Sequence, residues 1–358
     1  MGGDFVCWYI LFNSSKQRIT LFLPTMNKRF IVLLVMLWVT GLHAQDVLQL
    51  RETARTFQRQ GDNENAILVL NKAATLEPNN PDVQKELGIA YYVSRQYDQA
   101  LQVMKPLSER ADADEQVYQI TALIYRGKQD FKEADRIYKL GLKKFPKSGL
   151  LYSEYGDLLE LKEAGLARGI QMWEKGIELD PEYPNNYYHA AKYYLNTETG
   201  VWGLLYGEIF VNLESFTART TEMKNLLLDG YKKTFAFGVV TQKANSPFEE
   251  KFLADLRKQA SLVSNGVNAE ALTALRTRFI LDWNNETAPK FPFQLFNLHR
   301  NLLQEGLFDS YNQWLFGSVD NITAYQAWTS THPGEYGSFN KYQRNRVFTM
   351  PAGQYYNK

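Results

Sequence analysis

The chain has 358 residues, 45% of them hydrophobic and 22% charged, with a formal net charge of +1. So even a balance leaves no basic excess with which to hold a phosphate backbone, and nucleic acid is not expected as a partner. Cys7 is the single cysteine, which excludes an internal disulfide.

The first predicted element is a short apolar patch, Phe5 to Phe12, too short to span a membrane. Residues 1–25 read as an extension upstream of a second start at Met26. From there Lys28 and Arg29 precede the apolar run Phe30 to Val39, and Thr40 to Gln45 closes it with small residues up to Ala44. Charged, apolar and small zones in this order are those of a secretory signal, so residues 26–44 are expected to be removed after Ala44. Leu42 departs from the pattern, since a smaller residue is commoner there. The apolar run is shorter than a spanning helix, and no cysteine stands at the cut to carry a lipid. The mature chain is therefore expected in the periplasm or outside the cell, with no transmembrane helix and no cysteine.

Next comes a repeat. Ala66, Ala100 and Ala134 stand 34 residues apart. Around each alanine the same pattern returns. A small residue lies ahead of it (Ala54, Gly88, Ala122) and then an aromatic (Phe57, Tyr91, Tyr125), with larger residues after it at Leu70, Met104 and Tyr138. A fixed period of this length marks stacked supersecondary units that cannot bury an apolar face alone. These residues resemble the tetratricopeptide repeat, down to Gly61-Asp62 at the turn and Pro78 after the second helix. The resemblance implies an all-α fold of helical hairpins, with four units over 46–182. In the fourth, Tyr152, Gly156, Gly169 and Trp173 carry the pattern and the turn Lys162 to Leu166 is one residue longer. A degenerate fifth unit and a helical extension are expected over 183–240.

In this family the first helix of each pair lines a concave groove, so the resemblance implies a partner-binding surface on those helices. Its positions here are Arg51, Arg55 and Gln58, then Lys85, Ile89 and Tyr92, then Gln119, Leu123 and Arg126. They continue with Ser153, Asp157 and Glu160 and end with Tyr188 and Lys192. The early end is basic and the later end acidic. Arg51, Arg55 and Arg59, three to four residues apart, are spaced to meet a carboxylate on a protein or peptide partner, or to form a solvated charged face. Members that clamp chaperone tails use asparagine where Arg55 and Ile89 stand, so that specificity is not expected.

Past the repeats, helical spacing predicts a C-terminal helical domain over 247–330, after a break at Gly238 and Thr241 to Ser246. Residues 331–358, with Gly334, Gly337, Pro351 and Gly353, are expected to be an irregular tail. Its Lys341, Arg344, Arg346 and Lys358 alternate with rings that either meet an anionic ligand or pin the tail to the helical domain.

Catalytic patterns are scarce. His43, His189, His299 and His332 show no ligand spacing, so no metal site or cofactor is expected. Glu208 is the best carboxylate candidate, because Leu204, Leu205 and Val211 share its face. It is either a general acid whose burial raises its pKa or a glutamate pairing two helices. The sequence thus points to a non-catalytic protein- or peptide-binding scaffold of the bacterial cell envelope. A glycan-binding envelope protein and an enzyme sited in the C-terminal helices are the alternatives.

Overall fold

The structure, a computed structural model, describes residues 46–161, 166–196, 200–236 and 244–355. The extension 1–25 and the signal 26–44 lie outside the described residues, as do 162–165 in the long turn and 237–243 in the expected break. Among the described residues there are helices and no strand. The chain divides into two units, Met1–Val83 and Gln84–Lys358.

In the first unit, α1 (46–59) and α2 (Asn63–Leu76) form one hairpin. Gly61 takes a φ of 79° at the turn, a conformation that only glycine adopts at no steric cost. Asp62 then caps α2 by accepting from the Asn65 amide. Ala54, Ala66 and Leu70 are buried, and Val47, Ala73 and Val83 form a small core.

The unit boundary falls within α3 (Pro81–Val93), which is followed by α4 (Tyr97–Ser108), α5 (Glu115–Gly127) and α6 (Phe131–Lys144). Then come α7 (Gly149–Glu160), α8 (Leu166–Leu179), α9 (Pro184–Leu195) and α10 (Gly200–Leu213). Asp114, Asp130 and Ser148 cap three of these, each accepting from a backbone amide three residues on. Ala100 and Ala134 have no exposed surface, as a close helix approach demands. In the fourth pair the glycines take over that role. A Cβ on Gly156 would lie 2.3 Å from Trp173 Nε1, and one on Gly169 would lie 3.1 Å from the Gly156 carbonyl. The Trp173 indole fills the space that the missing side chain leaves.

α11 (Ala218–Ala236) packs on α9 and α10 as α9 packs on α7 and α8. It therefore stands where the first helix of a sixth pair would stand, although the sequence pattern lapses there. The reason is visible in the spacing: the small position that holds Ala54, Gly88, Ala122, Gly156 and Ala190 falls on Lys224.

The chain continues through α12 (Pro247–Lys258), α13 (Ala269–Glu286), α14 (Gln294–Gln304) and α15 (Phe308–Asn312). A π-helical turn, Gln313–Gly317, joins α15 to α16 (Ser318–Asp320), and α17 (Ile322–Thr331) and α18 (Pro333–Asn345) follow. One hydrophobic core includes residues from Ile170 to Met350, on both sides of the expected break. Trp202, Phe248, Trp283 and Phe293 pack ring on ring within it, with centroids 5.4–5.5 Å apart between neighbours. As a result Val201 to Asn212 of α10 are all buried, so that helix carries no polar face.

The expectation of an irregular tail from residue 331 is corrected. Pro333 occupies the first turn of α18, where its missing amide costs nothing, and Gly334 and Gly337 sit in open space on the outer side. Phe339, Gln343, Phe348 and Met350 are buried, so the rings and their neighbours anchor this segment to the main core. Apart from His332 between α17 and α18, only 346–355 runs without helix among the described residues of the tail.

Candidate functional site

On the first helices, the residues expected to face a partner are largely engaged with the next helix along. In the first unit Arg51 pairs with Asp82 at 3.3 Å, Arg55 pairs with Glu52 at 2.6 Å, and Gln58 is half-buried. In the second unit Lys85 of α3 reaches Asp114, the cap of α5, at 2.6 Å. Gln119 of α5 donates to Glu154 of α7 at 2.9 Å, and Arg126 approaches the same carboxylate at 3.9 Å. Asp157 of α7 meets His189 of α9 at 3.4 Å, while Lys192 of α9 meets Glu222 of α11 at 2.9 Å. The solvent-facing ion pairs among these contribute less than about 1 kcal/mol each, so the main effect of those that cross between helices is to fix the register of neighbouring helices.

Three sequence expectations change with this. Arg51 and Arg55 do not form a bare basic end, because each already has a carboxylate partner. Ser153 is buried, its carbonyl accepting from Trp173 Nε1 at 3.2 Å. Tyr188 is buried as well, with Lys192 and Arg219 over its ring and its hydroxyl donating to Glu222 at 2.7 Å. What stays half-exposed in the second unit is Ile89, Tyr92 and Leu123, with Glu160 exposed beyond them. The partners that sequence reasoning missed are Asp82, Asp114, Glu154, His189 and Glu222. Complementary polar residues about one repeat length apart were the available signal.

The polar centre of this face is Asp157 with His189 and Trp173. Trp173 Nε1 lies 3.2 Å from Asp157, and the indole stacks on the His189 ring with centroids 5.1 Å apart. Burial, reinforced by Glu154 and opposed by Arg126, pushes the Asp157 carboxyl up to about 7. Burial also pushes His189 down to about 4. Between those values both groups are neutral, and the Asp157 proton is placed to be shared with Nδ1 of His189.

Glu208 occupies a different setting, deep between α10, α13, α14 and α15. It pairs with Arg276, accepts from His299 Nε2 at 2.7 Å and from the Tyr311 hydroxyl at 2.8 Å, and all four side chains are buried. Arg276 also donates to Asn312, and Asn212 donates to the Tyr311 oxygen at 2.8 Å. The expected rise in the Glu208 pKa is overturned. Burial pushes the carboxyl up, but Arg276, His299 and Tyr311 together outweigh it and hold it down at about 2. An ionised carboxylate closed to solvent cannot donate a proton to a substrate, so Glu208 joins helices and is no general acid. Among the described residues no group of three or more His, Cys, Asp or Glu is placed to hold a metal.

Helices paired in succession around small-residue contacts, with polar bridges from each first helix to the next, define a helical-hairpin repeat protein. The sequence profile of the tetratricopeptide repeat matches residues 58–124. No curated protein matches the chain. Among solved structures, a thermophilic tetratricopeptide repeat protein of Thermus thermophilus is 15% identical, covering 51% of this chain and 99% of its own, with a TM-score of 0.43. MamA of Desulfovibrio magneticus RS-1, from residue 41 to its end, is 19% identical over 48% of this chain and 94% of its own, with a TM-score of 0.36. Human IFIT1, a dimer with PPP-AAAA, is 16% identical over 86% of this chain and 65% of its own, with a TM-score of 0.39. No helix among the described residues is long and apolar enough to cross a membrane.

Proposed function

We propose that the chain is a non-catalytic scaffold of the bacterial cell envelope that binds a protein or peptide along its first helices. The observation that carries this reading is the row Ile89, Tyr92 and Leu123 on α3 and α5. These residues keep apolar surface open between the polar bridges Lys85–Asp114 and Gln119–Glu154. Ile89 and Leu123 hold the same place in successive repeats, so a partner lying across the helices meets them in turn. Because Arg51 and Arg55 are already paired, the reading rests on this apolar row and not on a carboxylate clamp.

Selection from a random peptide display library tests it. The peptides recovered on the folded chain should carry apolar side chains flanked by polar ones. Ile89→Glu combined with Leu123→Glu should weaken them about tenfold, a loss of about 1.4 kcal/mol. Unchanged affinity in the folded double variant would move the binding surface elsewhere. The envelope assignment rests on Lys28, Arg29, the run Phe30 to Val39 and Ala44. N-terminal sequencing of the protein recovered from bacterial cells should begin at Gln45 or within a few residues of it. Recovery with Met1 or Met26 in place would overturn export.

A further inference from the structure

Away from the first helices, a cleft of about 700 Å³ opens beside α13, the start of α15 and α17. One face of α13 supplies Glu270, Thr273, Thr277 and Arg278, while Asp309, Gln313 and Trp328 complete the polar and aromatic walls. Gln313 opens the π-helical turn, a rare local widening of the helix that is frequently found at functional sites. Trp328 is braced on one face by the His332 ring, stacked at 4.5 Å with the planes 8° apart. The part of the indole that lines the cleft is therefore fixed in place. The Thr273 hydroxyl donates to the Ala269 carbonyl at 2.8 Å and so meets the cleft as an acceptor.

We propose that this cleft binds a neutral oligosaccharide, with Trp328 as the stacking platform and Glu270, Arg278, Asp309 and Gln313 as partners for sugar hydroxyls. A pyranose has an apolar C–H face for the indole and a rim of groups that both donate and accept. Carboxylates, a guanidinium and an amide around one ring satisfy such a rim from several sides. Two carboxylates against one arginine give the lining a slight negative balance, which disfavours a polyanion. A wall with so many polar side chains equally disfavours a lipid chain, which would leave them desolvated and unpaired.

The test is titration of the full folded chain with a panel of linear neutral hexaoses (gluco-, xylo-, manno- and chito-oligosaccharides), followed by calorimetry and by intrinsic tryptophan fluorescence, with Trp328→Ala identifying the share of Trp328 in the signal. At least one hexaose should bind with a change in indole emission. Trp328→Ala and the surface variant Asp309→Asn should each weaken it about tenfold. Ile89→Glu, on the first-helix face, should leave it unchanged, which separates this site from the peptide surface. Absence of binding across the panel, or equal binding by the folded Asp309→Asn and Trp328→Ala variants, would overturn the proposal. So would tighter, Trp328-dependent binding of an oligolysine peptide, since the cleft would then be a cation site.

Discussion

Replacing Arg276 by methionine should cost about 3–5 kcal/mol in a urea unfolding experiment, because it leaves the Glu208 carboxylate buried without its cation. The geometry makes the loss hard to absorb. Glu208, Arg276, His299 and Tyr311 are all shut away from water, so no solvent can replace the guanidinium. The pH dependence distinguishes this cause from simple loss of packing. In the native chain the Glu208 carboxyl is held at about 2, below its ordinary 4.5. Its contribution to stability is thus present above pH 4.5 and is lost as the pH falls from there towards 2. Without Arg276, burial loses the largest of the groups that oppose it and the carboxyl rises, so the variant is expected to gain stability relative to the native chain on acidification. Adding Glu208→Gln should recover much of the loss and flatten the slope, since replacing both members of a buried pair is far milder than removing one. A single variant that unfolds at the native urea midpoint would show that the cluster does not hold these helices.

The repeat was legible because it is written twice, once in period and once in residue size. Ala66, Ala100 and Ala134 have to be small wherever two helices touch, so the sequence displays them at a constant interval. The Gly156–Trp173 contact could be anticipated in kind but not in geometry, since a period says that a gap exists and not which ring fills it. Partner availability on the first helices was less accessible. Lys85 and Asp114, or Lys192 and Glu222, stand far apart in the chain and meet only once the helix pairs stack. The fate of Glu208 was further out of reach, because its cation comes from α13 and its imidazole from α14. A buried carboxylate read on its own helix looks like an acid with a raised pKa, and the partners that reverse the direction are invisible to local spacing. The tail misled for the opposite reason: Gly334 and Gly337 lower local helix propensity, but Phe339 buried in the main core decides the conformation of α18.

Lys224→Met is expected to stabilise the chain at pH 7, by about 2–3 kcal/mol, although it removes a charge from a mostly polar helix. Lys224 is 8% exposed, and its ammonium lies 3.6 Å from the centre of the Trp314 ring, with no carboxylate against it among the described residues. Burial pushes its pKa down from 10.5 to about 7. A shift of that size corresponds to a net difference on the order of 4–5 kcal/mol between the charged and neutral forms, the attraction of the indole face included, and methionine recovers part of it. The unfolded chain holds this proton up to about 10.5 and the folded chain only to about 7, so native stability should rise with pH through that window. Methionine fills a similar volume, packs favourably on the indole and titrates nowhere. The stability gap between variant and native chain should therefore be widest at pH 7 and should close as the pH approaches 10.5, measured as urea midpoints across that range. A gap that is absent at pH 7, or that stays constant with pH, would mean that the amine reaches water. The position explains why a long side chain is tolerated at all. At Ala54, Gly88, Ala122, Gly156 and Ala190 the same place in the repeat is small, whereas α11 packs against α16 and the π-helical turn, and the turn presents an aromatic ring to it. Lys224→Ala would restore the size common to the repeats but leave the Trp314 face uncovered, so it should stabilise less than Lys224→Met.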